Sequence, residues 1–175
     1  MQEGYIENIK KEFSNYKVIG EKAIALIPDD KLFWQFNSES NSVGIIVTHL
    51  SGNMQSRWTD FLTSDGEKDW RNRDTEFENK VCDRIALMHM WKTGWDCLFV
   101  ALNGLNIEDL NKFISIRNQS HTVYEAINRQ LAHYPYHIGQ IVQLGKMTSE
   151  NWLSLSIPKG ESVQYNSNIF SKAKP

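Results

Sequence analysis

Apolar side chains recur at steps of three and four over four separate stretches of the chain, and each stretch predicts an amphipathic helix. In the first, Ile6, Ile9, Phe13, Tyr16, Ile19, Ala23 and Ile27 share one face, and Pro28 with two aspartates ends it. After a turn region at Leu32, Phe33, Trp34 and Phe36, the polar run NSESNS offers several N-caps for a second helix. Its stripe is Val43, Val47, Leu50, Met54, Trp58 and Phe61, and it stops near the SDGE turn. The segment KDWRNRDTEFEN is charged and aperiodic, and reads as a surface loop. A third helix follows with Phe77, Val81, Met88, Trp91, Trp95, Phe99 and Leu102, closed by Asn103 and Gly104. The fourth begins at a capping box of Thr122 and Glu125 and carries Val123, Ile127, Leu131, Tyr134, Ile138, Ile141 and Gly145.

Between the third and fourth helices the signal is weaker, with a short KFISI run that reads as extended. Beyond Thr148 the chain turns to Ser, Asn and Lys, and Trp152, Leu153, Leu155 and Ile157 form its one apolar cluster. An irregular tail packing across the helices, with loose last residues, is expected. Four amphipathic helices without alternating strands predict an all-α fold, a four-helix bundle occupying residues 1–175 as one domain. The length of 175 residues and the 41% hydrophobic content suit one sizeable core.

Charge narrows the partners. The 19 basic and 21 acidic residues are spread along the chain, giving a formal net charge of −2, and no block of basic residues offers a face for nucleic acid or an acidic membrane. No stretch approaches the roughly 20 apolar residues of a membrane span. The opening MQEGYIENIKKEF is polar and carries acids, unlike a signal or transit peptide, so a cytoplasmic protein is expected. Cys82 and Cys97, if both helical, lie about 22 Å apart at roughly 1.5 Å per residue, too far for a disulfide, and read as reduced, buried thiols.

The candidate chemistry lies in three histidines. His133 and His137 are spaced i, i+4, so two imidazoles stack about one turn apart on one side of the fourth helix. Both fall along one edge of the apolar stripe, and His49 falls at the equivalent edge of the second helix. Three neutral imidazoles meeting across a helix interface make a divalent metal site with an open position for water or a substrate anion. The plainer alternative is three hydrogen-bonded structural histidines. No carboxylate ligand and no general base stand out. Pro135, between the pair, deletes one helical hydrogen bond and predicts a kink or an irregular turn. Asn53, Gln130 and Gln140 lie about a turn from the histidines, placed to hold imidazole tautomers. Arg57 sits inside the stripe of the second helix and needs a partner there, either a structural carboxylate or an anionic substrate. His89 and His121 read as surface or loop-end residues, and Trp91 with Trp95 as core.

The segments VTHLSGN on the second helix and HYPYHIGQI on the fourth, separated by a third helix, resemble the DinB-like superfamily of four-helix bundles over nearly the whole chain. The family's histidine on the second helix and its HxxxH pair followed by Gly-Gln are matched by His49, His133, His137, Gly139 and Gln140. FWQFN, SGNMQSRWTDFLTSDGEK, WRNRD and SIPKGES look most similar to an uncharacterised bacterial branch. Zinc or nickel in the bundle, a homodimer, and transfer reactions of low-molecular-weight thiols such as bacillithiol or mycothiol are what the resemblance implies, with hydrolysis as the related reaction. The competing reading is a non-catalytic module, metal-stapled or dimerising. Pro135 departs from the plain helix expected of the family.

Overall fold

The computed structural model describes residues 3–78 and 81–172, and the protein so described is mostly helical. Helices α1 (Glu3–Leu26), α2 (Val43–Trp58), α3 (Arg84–Asn103) and α4 (Val123–Thr148) carry the core. A hairpin of strands β1 (Phe113–Ile116) and β2 (Gln119–Thr122) precedes α4, and a short helix α5 (Ser162–Lys172) follows it. Single 3₁₀ turns lie at Asp29–Lys31, Asp74–Phe77 and Ile107–Asn111.

Local chemistry sets the helix starts. Ser42 Oγ accepts from the Ile45 amide at 3.1 Å to open α2, and Asp83 Oδ1 accepts from Ala86 at 2.8 Å to open α3. At α4 the capping box is complete: Thr122 Oγ1 accepts from the Glu125 amide at 3.1 Å, and the Glu125 carboxylate accepts from the Thr122 amide at 2.7 Å. The carbonyls at the end of α1 are satisfied from another helix, since Arg84 donates to Ile24 O at 2.9 Å and Ile27 O at 2.5 Å while its Nε meets Asp29 at 2.5 Å. One side chain thereby joins the end of α1 to the start of α3.

α2 packs chiefly on α3 and α1 on α4, with α2 also touching α4 and α1 touching α3. The α2–α3 approach is close because Gly94 has no side chain: a Cβ there would stand 2.9 Å from the Ser51 Cα. Ser51 Oγ donates to Met90 O across the same seam at 2.8 Å. Phe13, Leu50, Leu87, Trp91, Trp95, Tyr134 and Ile141 form the centre of the core, all buried. Among the described residues no helix is long and apolar enough to cross a membrane.

Several details depart from the sequence reading. α2 ends at Trp58, not at Phe61, and the chain reverses at Asp60, whose φ is +48°. Phe61 remains buried through the turn that follows. α3 begins at Arg84, because Asp83 caps it there, and Phe77 belongs to a separate 3₁₀ turn. The extended KFISI run is β1, paired antiparallel with β2 through a two-residue turn in which Arg117 and Asn118 take φ of +55° and +59°. Asp65 clamps that turn, accepting from Ser115 Oγ and from the amides of Arg117 and Asn118.

Cys82 precedes α3 and is exposed, so the helical spacing argument does not apply to it; Cys97 is half-buried, and both thiols are free. The tail is not wholly irregular, since residues 162–172 form α5. Its apolar residues Val163, Ile169 and Phe170 are exposed, and their wide spacing in a Ser- and Asn-rich run leaves little periodicity to read. Trp152 and Leu155 pack on the core, whereas Leu153 is exposed. Asn79, at the end of the charged segment, and the last three residues lie outside the described residues.

Candidate metal centre

α2 delivers His49 and α4 delivers His133 and His137 to one point. The Nε2 atoms of His133 and His137 are 3.1 Å apart and those of His49 and His133 are 3.4 Å apart. One ligand atom from each of the three residues lies within 4.8 Å of the other two. His49 and His137 are buried and His133 is half-buried. α4 runs through Pro135 as one helix, and Tyr134 on its buried side is fully enclosed, so the two histidines keep the one-turn stacking of an i, i+4 pair.

Each ring is oriented from behind. His49 Nδ1 donates to Glu76 Oε2 at 2.9 Å, His133 Nδ1 to Gln130 Oε1 at 3.1 Å, and His137 Nδ1 to Gln140 Oε1 at 2.8 Å. An imidazole that gives its proton at Nδ1 presents a lone pair at Nε2. Three lone pairs therefore face one another, an arrangement that is repulsive unless a cation or proton stands between them. Zinc–nitrogen bonds of about 2.0–2.1 Å at tetrahedral angles put two ligand nitrogens roughly 3.3 Å apart, which the 3.1 and 3.4 Å separations bracket. The donor set thus fits a divalent ion, and the three histidines together are able to hold one.

Gln130 and Gln140 stand where the sequence placed them, but Asn53 does not hold His49. Its Oδ1 instead accepts from the Tyr134 hydroxyl at 3.1 Å. The partner of His49 is Glu76, from the charged segment expected to be a plain surface loop. Glu76 is buried, and Arg71, whose side chain is 2% exposed, grips its carboxylate at 2.7 and 2.9 Å. Burial works to raise the Glu76 pKa, and the hydrogen bonds from His49 and Arg71 outweigh it and hold the carboxyl below its usual range. Gly52, one turn along α2 from His49, makes room for it: a Cβ at Gly52 would come within 2.8 Å of Glu76 Cδ. A glycine inside a helix one turn after a candidate ligand was the available signal for this carboxylate, and a weak one. Phe77 completes the enclosure, its ring 5.0 Å from that of His49, and the Arg73 guanidinium stacks over the Phe77 ring, its Cζ 5.1 Å from the ring centroid.

Arg57 has found a structural carboxylate. Its guanidinium meets Glu67 at 3.2 Å and also donates to the Gly66 carbonyl. His89 is exposed, and His121 lies on β2, away from the three.

Burial is the main reason that the His133 pKa is pushed down to about 3, with the neighbouring imidazoles and Arg129 and Arg57 adding to it; burial also lowers His137, against the pull of Gln140. His133 is therefore neutral and ready to ligate well below pH 6.5, and His137 is shifted in the same direction. The linkage has a definite sign. An unfolded histidine takes up its proton near pH 6.5 while folded His133 does not until about 3, so the unfolded state binds more protons as pH falls and the fold loses stability across that window. Chemical denaturation of the metal-free protein is expected to give a lower unfolding free energy at pH 5 than at pH 7, with a smaller difference in His133→Gln. Equal stability at the two pH values in the wild type would contradict this.

A cavity of about 230 Å³ opens beside the histidines, lined in part by His49, His133, Asn53 and Gln130. The family described as "Protein of unknown function (DUF1572)" matches residues 1–161. No curated protein and no solved structure gave a match.

Proposed function

We propose that this chain, which belongs to the DUF1572 family, is a metal-dependent enzyme built as a DinB-like four-helix bundle. His49, His133 and His137 hold one divalent ion, zinc or nickel, and the reaction is the transfer of a low-molecular-weight thiol, of the bacillithiol or mycothiol kind, to an electrophile, or the corresponding hydrolysis. The observation that carries this reading is the convergence of three Nε2 lone pairs, each fixed by its own acceptor at Nδ1. The pairwise packing of α1 to α4 supports the bundle.

An ion bound there supplies Lewis acidity that makes a thiol or a water nucleophilic near neutral pH. The chain's own residues do the rest. Glu76, Gln130 and Gln140 hold the imidazoles in the tautomer that ligates, and Arg71 keeps Glu76 ionised and aimed at His49. Phe77 and Tyr134 exclude water from the sides of the rings. A structural zinc site closes its sphere with four protein ligands, and among the described residues three converge. Glu76 faces Nδ1 of His49 and so supports the ligand from behind. Three protein ligands beside a cavity would leave a bound ion accessible to substrate, which favours catalysis over a staple.

The test is elemental analysis of protein purified without a tag or added metal, followed by an assay of thiol conjugation and ester hydrolysis. About one metal per chain is expected, together with turnover that disappears in a His137→Ala variant whose circular dichroism is unchanged. A chain that takes up no metal on reconstitution would sink the reading; one ion per chain with no turnover would leave the non-catalytic staple in its place.

A further inference from the structure

The cavity beside the histidines carries a charge that the three imidazoles do not account for. Arg57, Arg71, Arg73, Arg117 and Arg129 all line it, and no acidic residue does. Among the described residues, two carboxylates form ion pairs with these guanidiniums. Glu67 meets Arg57 at 3.2 Å, Arg71 at 3.7 Å and Arg117 at 2.9 Å, and Glu76 meets Arg71 at 2.7 Å. Five positive charges against two negative leave an excess of three, and Arg73 and Arg129 have no ion pair among the described residues. Both are exposed, whereas Arg57 is 5% exposed and its Nε, shielded from solvent, has no hydrogen-bond partner. A buried guanidinium N–H without an acceptor is costly unless a ligand supplies one.

The chain pays for this concentration of like charge in a molecule that is acidic overall, with a net charge of −2. Guanidiniums from four places converge there: α2 gives Arg57, the segment before α3 gives Arg71 and Arg73, the hairpin turn gives Arg117, and α4 gives Arg129. The positive φ at Arg117 belongs to the turn that brings its side chain to Glu67. Arginine's planar fork matches the oxygen pairs of carboxylate and phosphate groups. A volume of about 230 Å³ falls below the roughly 300–1,000 Å³ of pockets that enclose a whole drug-sized ligand, and so suits a small head group.

We propose that this arginine-lined cavity is the substrate-recognition site, and that the substrate presents an oxyanion, a carboxylate or phosphate, which Arg57, Arg73 and Arg129 bind next to the three histidines. The proposal rests on the reading of the histidines as a reaction centre, but its binding test does not depend on it. The anion is held by the guanidiniums, and its reacting group is thereby set beside His49 and His133. The net charge argues against a nucleic-acid or acidic-membrane partner, but it does not report on a local cluster of this size.

Isothermal titration of the zinc-loaded and the metal-stripped protein with inorganic phosphate and with malonate, at low ionic strength, is the direct test. The wild type is expected to bind one of the two probes with a stoichiometry near one in both metal states, more weakly as salt is raised. Phosphate identifies a phosphate head group and malonate a carboxylate. Arg73→Ala with Arg129→Ala should weaken binding by on the order of tenfold or more, and Arg129→Glu by at least as much, with metal content and circular dichroism unchanged. Both positions are exposed, so the fold tolerates the changes. Equal affinity in wild type and variants, or no binding of either probe by the wild type, would overturn the proposal. If the wild type takes up no zinc, or His137→Ala keeps it, while anion binding persists, the metal reading fails and the arginine site stands; if binding vanishes with zinc and ignores the arginines, the anion site is overturned.

Discussion

Replacing His133 and His137 together with alanine is expected to abolish divalent-metal binding and, with it, the gain in thermal stability that zinc confers on the wild type. The expectation follows from the tautomers. With Gln130 and Gln140 accepting at Nδ1 at 3.1 and 2.8 Å, both rings turn lone pairs toward His49, and among the described residues no proton donor stands between them. A cation relieves that repulsion in the folded state, whereas in the unfolded chain the three imidazoles are scattered. Binding to the native state alone stabilises it by about 2.7 kcal/mol at a free metal concentration 100 times Kd. For a chain of this size that is a rise in Tm of roughly 5–11 °C. In the double variant His49 remains as a single ligand, and the rise should be absent. Differential scanning calorimetry with and without zinc reads the difference. A variant that still gains several degrees from zinc would place the metal elsewhere. The intermediate case is informative as well: Glu76→Gln keeps all three ligands but weakens the acceptor behind His49, and second-layer changes of this kind cost about 10–100-fold in metal affinity.

The four long helices were legible because the physics that forms them is periodic. Each buries one face, so Ile9, Phe13, Leu50, Trp91, Trp95 and Ile138 announce themselves by spacing. The histidine cluster was legible for the same reason, since two of its members share a helix at a fixed interval and the third sits at the edge of another stripe. Gln130 and Gln140 could be placed by counting along α4. Glu76 could not. It reaches His49 from a 3₁₀ turn 27 residues away in sequence, and what holds it is the buried guanidinium of Arg71, itself in an aperiodic run. Charged residues in a loop ordinarily signal solvent, and only the tertiary path of the chain reveals that these two are buried as a pair. The arginine cavity was hidden more completely, because its five members come from four separate parts of the chain and no local composition reports their convergence. Arg57 alone betrayed itself, as a charge inside an apolar stripe, and of the two readings it allowed the structure shows the carboxylate partner, Glu67.

Tyr134 joins the core to the histidines, and Tyr134→Phe is expected to cost about 2–4 kcal/mol of stability while leaving metal affinity within a few-fold of the wild type. Its ring is wholly buried between Phe13 and Trp95, at centroid distances of 5.8 and 6.0 Å, and phenylalanine fills the same space. The loss is confined to the hydroxyl, which accepts from Trp58 Nε1 at 3.0 Å and donates to Asn53 Oδ1 at 3.1 Å. Removing it strands a buried indole N–H, and an amide oxygen loses its donor, each at a penalty of about 1–3 kcal/mol, less whatever local relaxation recovers. Burial raises the pKa of this phenol above its usual value, so the hydroxyl is neutral and keeps both bonds throughout the working pH range. Urea denaturation would show the shift in midpoint with an unchanged slope. A change below about 0.5 kcal/mol would mean that water replaces the hydroxyl between Trp58 and Asn53, and so that solvent penetrates this part of the core. His133 and His137 flank Tyr134 on α4 but take their orientation from Gln130 and Gln140, so the metal should feel little of the loss. Stability and ligation are then separable within five consecutive residues: the side that faces the core carries the fold, and the side that faces α2 carries the chemistry.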